Sequence, residues 1–154
     1  MRNRKIALVL ALLIFCTSFN VMRSKVNAEE MEENIDFSYL LTEDALVGYA
    51  ENQTRGIYLA EGSSIINKIS STKIGAGGIT NAAIKCEVSI TSIVERQTST
   101  GWAWVTSWTQ TNPYAFSAAI SKSYVVGTGY NYRVRSLHYA GTDGSSSCTD
   151  ALVM

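Results

Sequence analysis

Gly129-Tyr130-Asn131-Tyr132-Arg133-Val134-Arg135-Ser136-Leu137-His138-Tyr139-Ala140 alternates bulky apolar with polar or charged side chains, which is the signature of a half-buried β-strand. On a pleated strand successive side chains face opposite ways, so Tyr130, Tyr132, Val134 and Ser136 share one face while Asn131, Arg133 and Arg135 share the other. The tyrosine face has to be covered. The arginine face has to meet solvent, a carboxylate or a partner, because an unpaired buried guanidinium is too costly. The rest of the chain is therefore expected to wrap the tyrosine face of this strand.

Working outward, Ala82 to Gln97 places Ala82, Ile84, Cys86, Val88, Ile90, Ser92 and Val94 at even positions and polar residues at most odd ones. Trp102 to Thr111 returns after the polar turn Gln97-Thr98-Ser99-Thr100-Gly101, so the two segments predict a hairpin. Asn112-Pro113 reads as a break before a further strand from Tyr114 to Ile120, and short strands are expected near Gly56–Ala60, Ser64–Ile69, Lys73–Gly78, Tyr124–Val126 and Thr149–Val153. The glycines of Gly75-Ala76-Gly77-Gly78 are read as a turn or bulge. They do not form a phosphate cradle, since no Lys-Ser or Lys-Thr pair or helical pattern follows. About seven short strands with polar turns and no convincing helix predict an all-β fold, an antiparallel β-sandwich.

The amino terminus has a different character. Arg2, Arg4 and Lys5 precede an apolar run, Ile6 to Phe15, and Val26-Asn27-Ala28 offers a small-residue cleavage site. Residues 1–28 are expected to be a secretory signal peptide, too short in its apolar run to anchor the chain. The mature protein would then be secreted, or held at the cell surface, without a stable membrane anchor. It would carry 8 basic and 13 acidic side chains, a net charge of −5, which argues against nucleic acid as a partner. Nine of those acidic residues fall between Glu29 and Glu61. Residues 29–46 are expected to be an acidic, poorly ordered arm on a folded domain of residues 47–154.

Cys86 and Cys148 remain after the signal, and an even count in an oxidising compartment predicts a disulfide between them. A bridge of that span would contribute roughly 4 kcal/mol in the chain-entropy account. The site inventory is thin for catalysis. His138 is the sole histidine, and by parity it shares the face of Tyr132 and Val134, which predicts a packed or hydrogen-bonded imidazole. A Ser/His/Asp hydrolase using Asp143 or Asp150 would need a nucleophile motif that is absent. No clustered ligands for a metal and no cofactor motif are present.

Recognition is the better prospect. Trp102, Trp104 and Trp108 have the same parity and would line one face of one strand, either in the core or as a platform on which sugar rings stack. Arg133 and Arg135 are expected to pair with Glu87 or Glu95 across neighbouring strands, or to meet an anionic partner. The chain thus reads as a non-enzymatic binding protein whose partner is a protein or a glycan. The alternatives are a carbohydrate-binding module and a secreted toxin or bacteriocin-like, membrane-active effector.

Two resemblances bear on this reading. Tyr130-x-Tyr132-x-Val134 after a glycine-rich corner resembles the F strand of immunoglobulin-like and fibronectin type III domains, which implies an immunoglobulin-like sandwich with the first tyrosine capping the corner. Val47-Gly48-Tyr49, Thr54-Arg55-Gly56-Ile57-Tyr58-Leu59, Ser107-Trp108-Thr109, Ser121-Lys122-Ser123 and Tyr130-Asn131-Tyr132-Arg133-Val134 with His138 resemble small secreted Gram-positive proteins forming a family of unknown function. That resemblance implies no catalytic residue, cofactor or substrate. Thr149-Asp150-Ala151 departs from the Asp-Gly associated with the family's last strand.

Overall fold

The computed structural model describes Phe37, Leu40, residues 42–50 and residues 56–154. The expected signal peptide and most of the acidic arm lie outside the described residues. Seven antiparallel strands follow in chain order: β1 (Leu46–Tyr49), β2 (Leu59–Ser70), β3 (Lys73–Thr98), β4 (Gly101–Val125), β5 (Asn131–Ala140), β6 (Asp143–Cys148) and β7 (Leu152–Val153). The fold is all-β, as the alternating sequence predicts.

The strand lengths differ from expectation. β3 and β4 run for 26 and 25 residues, each uniting what the sequence divides into separate strands. The early half of β3 lies between β2 and the end of β4, and its late half lies between the start of β4 and β5. Between Asn81 and Cys86 the β3–β4 register shifts, which is where β3 bends from one layer into the other. β3 therefore belongs to both layers, and the sheet curls until β1 and β2 face β5 and β6. This nearly barrel-like closure is consistent with the expected antiparallel β-sandwich of about seven strands, but the single curled sheet is not distinctly immunoglobulin-like. Pro113 does not break β4, because β4 pairs only with β3 among the described strands and an edge strand can turn a missing N–H outward.

The expected glycine turn is also strand. Gly77 and Gly78 sit within the early half of β3, paired with Ile65 and Ser64 of β2. A Cβ on Gly77 would lie 1.9 Å from the Ile120 carbonyl oxygen, and one on Gly78 would lie 2.1 Å from that of Ser63. These glycines permit backbones to approach closely where the sheet curls.

On β5 the predicted alternation holds: Tyr132, Val134, Ser136, His138 and Ala140 are buried, and the intervening residues are not. Tyr132 and Val134 pack with Ile66, Ile74, Val94, Val126 and Met154. A second cluster gathers Val88, Ile90, Ala118, Ile120 and Ala140, and Trp108 packs against both. The corner tyrosine is Tyr132, whose hydroxyl donates to the Gly127 carbonyl at 3.1 Å. Tyr130 instead is exposed beneath the Arg96 guanidinium, 4.6 Å from its ring centroid. Leu40, from the stretch expected to be poorly ordered, is fully buried.

Candidate functional site

Two groups of polar residues could carry function, one inside the molecule and one outside. The interior group is centred on His138, which is wholly buried. Its Nδ1 lies 2.8 Å from Thr80 Oγ1 and its Nε2 2.7 Å from Ser147 Oγ, and Ser147 in turn lies 2.6 Å from Ser64 Oγ. Thr80 also donates to the Ser89 carbonyl at 3.2 Å. The chain of bonds ties β2, β3, β5 and β6 together across the interior. Burial drives the imidazole pKa down from 6.5 to about 4, so the ring is neutral at pH 7, with one nitrogen donating and one accepting. No buried side-chain nitrogen or oxygen among the described residues lacks a hydrogen-bond partner.

The pair Ser147–His138 has the separation of a nucleophile and its base, but its surroundings are those of a structural network. Ser147 is 4% exposed, and the residue holding the far side of the ring is Thr80. Asp143 is committed elsewhere: its Oδ2 accepts from the backbone amides of Tyr58 at 2.7 Å and Leu59 at 3.1 Å, fixing the start of β2.

The exterior group lies on the outward face of β3, β4 and β5. Glu95 is the hub. Its Oε2 accepts from Arg133 Nε at 2.7 Å, and its Oε1 accepts from Arg135 Nη2 at 3.0 Å and Nε at 3.1 Å. Of the two expected partners of the arginines, Glu95 is the one that pairs with them. Arg133 and Arg135 lie on β5 in register with Glu95 and Ile93 of β3, so both reach one carboxylate. The Arg133 guanidinium also stacks 4.2 Å from the Trp102 ring centroid. At the end of the group, Asn131 Nδ2 donates to Gln97 Oε1 at 2.6 Å.

The three tryptophans do not share a face. The β3–β4 register runs Val94 to Thr106 and then Glu95 to Trp104, which leaves Val105 as a bulge. The extra residue reverses the parity of β4. Trp108, opposite Ser92, turns inward and meets Tyr124 edge-on at 6.0 Å. Trp102 and Trp104, opposite Gln97 and Glu95, turn outward onto the arginine face. Trp104 is 67% exposed. Trp102, Trp104, Arg133 and Arg135 thus share one face with Glu95, an arrangement that sequence reading leaves open both in the choice between Glu87 and Glu95 and in the side to which each tryptophan turns.

The expected Cys86–Cys148 disulfide is absent, and both thiols are free. Cys148 is opposite Arg135 on β5, whereas Cys86 precedes Val88, which is opposite Ala140. Five residues of strand separate these levels, roughly 16 Å at the usual rise, beyond the reach of a disulfide. Local burial also pushes the Cys148 thiol pKa up, which lowers its thiolate fraction. Alkylation of the unreduced, denatured protein is expected to label both cysteines, and a mass two hydrogens lower with no label would contradict the structure.

Residues 26–153 match the model of a family described as a family of unknown function, DUF6147. The chain belongs to that family. The resemblance to a family without an assigned function is thereby met, and membership brings no catalytic or ligand residue to the DUF6147 chain. No curated protein matches it. Among solved structures, the chain is similar to the solution structure of R. palustris CsgH, at 12% identity and a TM-score of 0.38, with 69% of this chain and 91% of that chain covered.

Proposed function

We propose that this protein is a secreted, non-enzymatic binding module that engages an acidic saccharide at or outside the cell surface through Trp102, Trp104, Arg133 and Arg135. The observation that carries the reading is Trp104. It is a large ring, 67% exposed, turned out of the core by the Val105 bulge and paired across β4 and β3 with Glu95, the carboxylate that holds two guanidiniums in place. An indole face offers a sugar ring a flat apolar platform, and guanidiniums supply planar donors for a carboxylate or phosphate. Two arginines against one glutamate leave the cluster one positive charge, although the mature chain is acidic. Because Glu95 fixes both side chains, little rotamer freedom remains to be lost when a ligand binds. Enzymatic turnover has no comparable support, since the histidine is sealed inside the sheet.

Affinity electrophoresis through gels containing polygalacturonate or dextran tests this reading. The protein is expected to be retarded by the uronate polymer and not by the neutral glucan. Trp104→Ala should abolish the retardation, Arg135→Gln should weaken it about tenfold, and raising the salt should weaken it further. Equal mobility in all gels would contradict the proposal.

A further inference from the structure

β4 contains a second surface, distinct from the tryptophan and arginine cluster. Its partner among the described strands is β3 alone, so its other side is an edge that no described strand covers. Soluble proteins ordinarily blunt such an edge with lysines, prolines or bulges. From Gly101 to Ser121 this edge carries no charged side chain. The bulge at Val105 and the ring of Pro113 bracket one uninterrupted piece, Thr106-Ser107-Trp108-Thr109-Gln110-Thr111-Asn112. It lacks glycine, proline and charge, which are the features that permit a strand to pair with copies of itself. Its outward side chains are Ser107, Thr109 and Thr111, the last two bonded to Thr91 and Ser89 of β3, both at 2.9 Å.

We propose that two copies of this chain associate edge to edge through residues 106–112, antiparallel about a two-fold axis at Thr109. That register sets Thr109 opposite its own copy, Ser107 opposite Thr111, and Trp108 opposite Gln110. The outward hydroxyl pairs repeat between copies the Ser/Thr pairing already formed between β3 and β4, and such cross-strand pairs are favourable. The absence of charge makes the piece complementary to itself, because no like charges meet on the two-fold. Arg96 and Lys122, the nearest cations in sequence, lie outside the paired segment. The joined sheets would place both copies' Trp104 platforms on one continuous face, so a repeating ligand could meet two sites at once.

Sedimentation equilibrium of the full chain over a wide concentration range tests the proposal. The wild type is expected to show a reversible monomer–dimer equilibrium. Thr109→Lys and Thr109→Glu, at an exposed position, should each weaken it by about tenfold or more while the midpoint of monomer unfolding falls equally and only slightly in both, by the loss of the Thr91 hydroxyl bond. An equimolar mixture of the two variants should recover the dimer, an outcome that misfolding could not produce. A wild type monomeric at every concentration, a dimer indifferent to both substitutions, or no recovery in the mixture would overturn the assignment.

Discussion

Gly77→Ala is expected to cost about 3 kcal/mol of stability and to lower the midpoint of thermal unfolding by on the order of 10 °C. The added Cβ would stand 1.9 Å from the Ile120 carbonyl oxygen and 3.0 Å from Leu40 Cδ1. The first contact is with backbone, which cannot rotate away as a side-chain tip can. Relief requires β3 and β4 to separate where the sheet curls, and the buried side chains of Ile74, Ala76 and Ile120 would lose their packing. Gly101→Ala is the informative contrast. Nothing lies within 4 Å of a Cβ there, so its cost is confined to the backbone at φ 135°. That cost is of order 1 kcal/mol. Chemical denaturation of the two variants decides the matter, and equal costs would contradict the close approach described for Gly77.

The second large effect is acid lability through His138. Its pKa is about 4 in the folded protein against 6.5 unfolded, so the unfolded chain binds the proton more readily. Stability from the neutral ring is fully present above pH 6.5 and is lost as pH falls from there toward 4. The loss amounts to about 2 kcal/mol between pH 7.5 and 5. The groups bonded to the ring, Thr80 and Ser147, and Ser64 beyond Ser147 are uncharged hydroxyls, and none can stabilise an imidazolium as a carboxylate would. His138→Gln retains hydrogen-bonding capacity without titrating in this range. It should lower stability at pH 7.5 yet flatten the dependence between pH 7.5 and 5. Denaturation midpoints of both proteins at the two pH values check this, and parallel losses would remove His138 as the cause.

How much of this was legible in the sequence differs from strand to strand. β5 could be read residue by residue, because one face is buried along its full length and the side-chain period of two has no interruption. Its two arginines lie on the outward face, as that period requires. The same rule failed on β4, since one bulged residue at Val105 reverses every later position and Trp-Ala-Trp-Val-Thr-Ser-Trp gives no sign of it. The sequence divides β3 and β4 into shorter strands because glycines and a proline mark turns in most chains. Here the glycines serve close backbone contact, and the proline sits on an edge. The buried network around His138 joins residues as far apart as Thr80 and Ser147, and no local pattern encodes such a meeting. Compartment and count alone favour pairing the cysteines, and only the strand register shows that they occupy different levels of the sheet.

The central claim, that the Trp104 and arginine face binds an acidic saccharide, is tested most directly by intrinsic fluorescence during titration with oligogalacturonate, wild type beside Trp104→Phe. Trp102 and Trp108 are half-buried, so the exposed Trp104 should dominate any change caused by a ring stacking on it. The account predicts a saturable blue shift in the wild type that Trp104→Phe loses, with its fold and stability unaltered. A wild type that shows no saturable response, or a response that persists undiminished in Trp104→Phe, would contradict it.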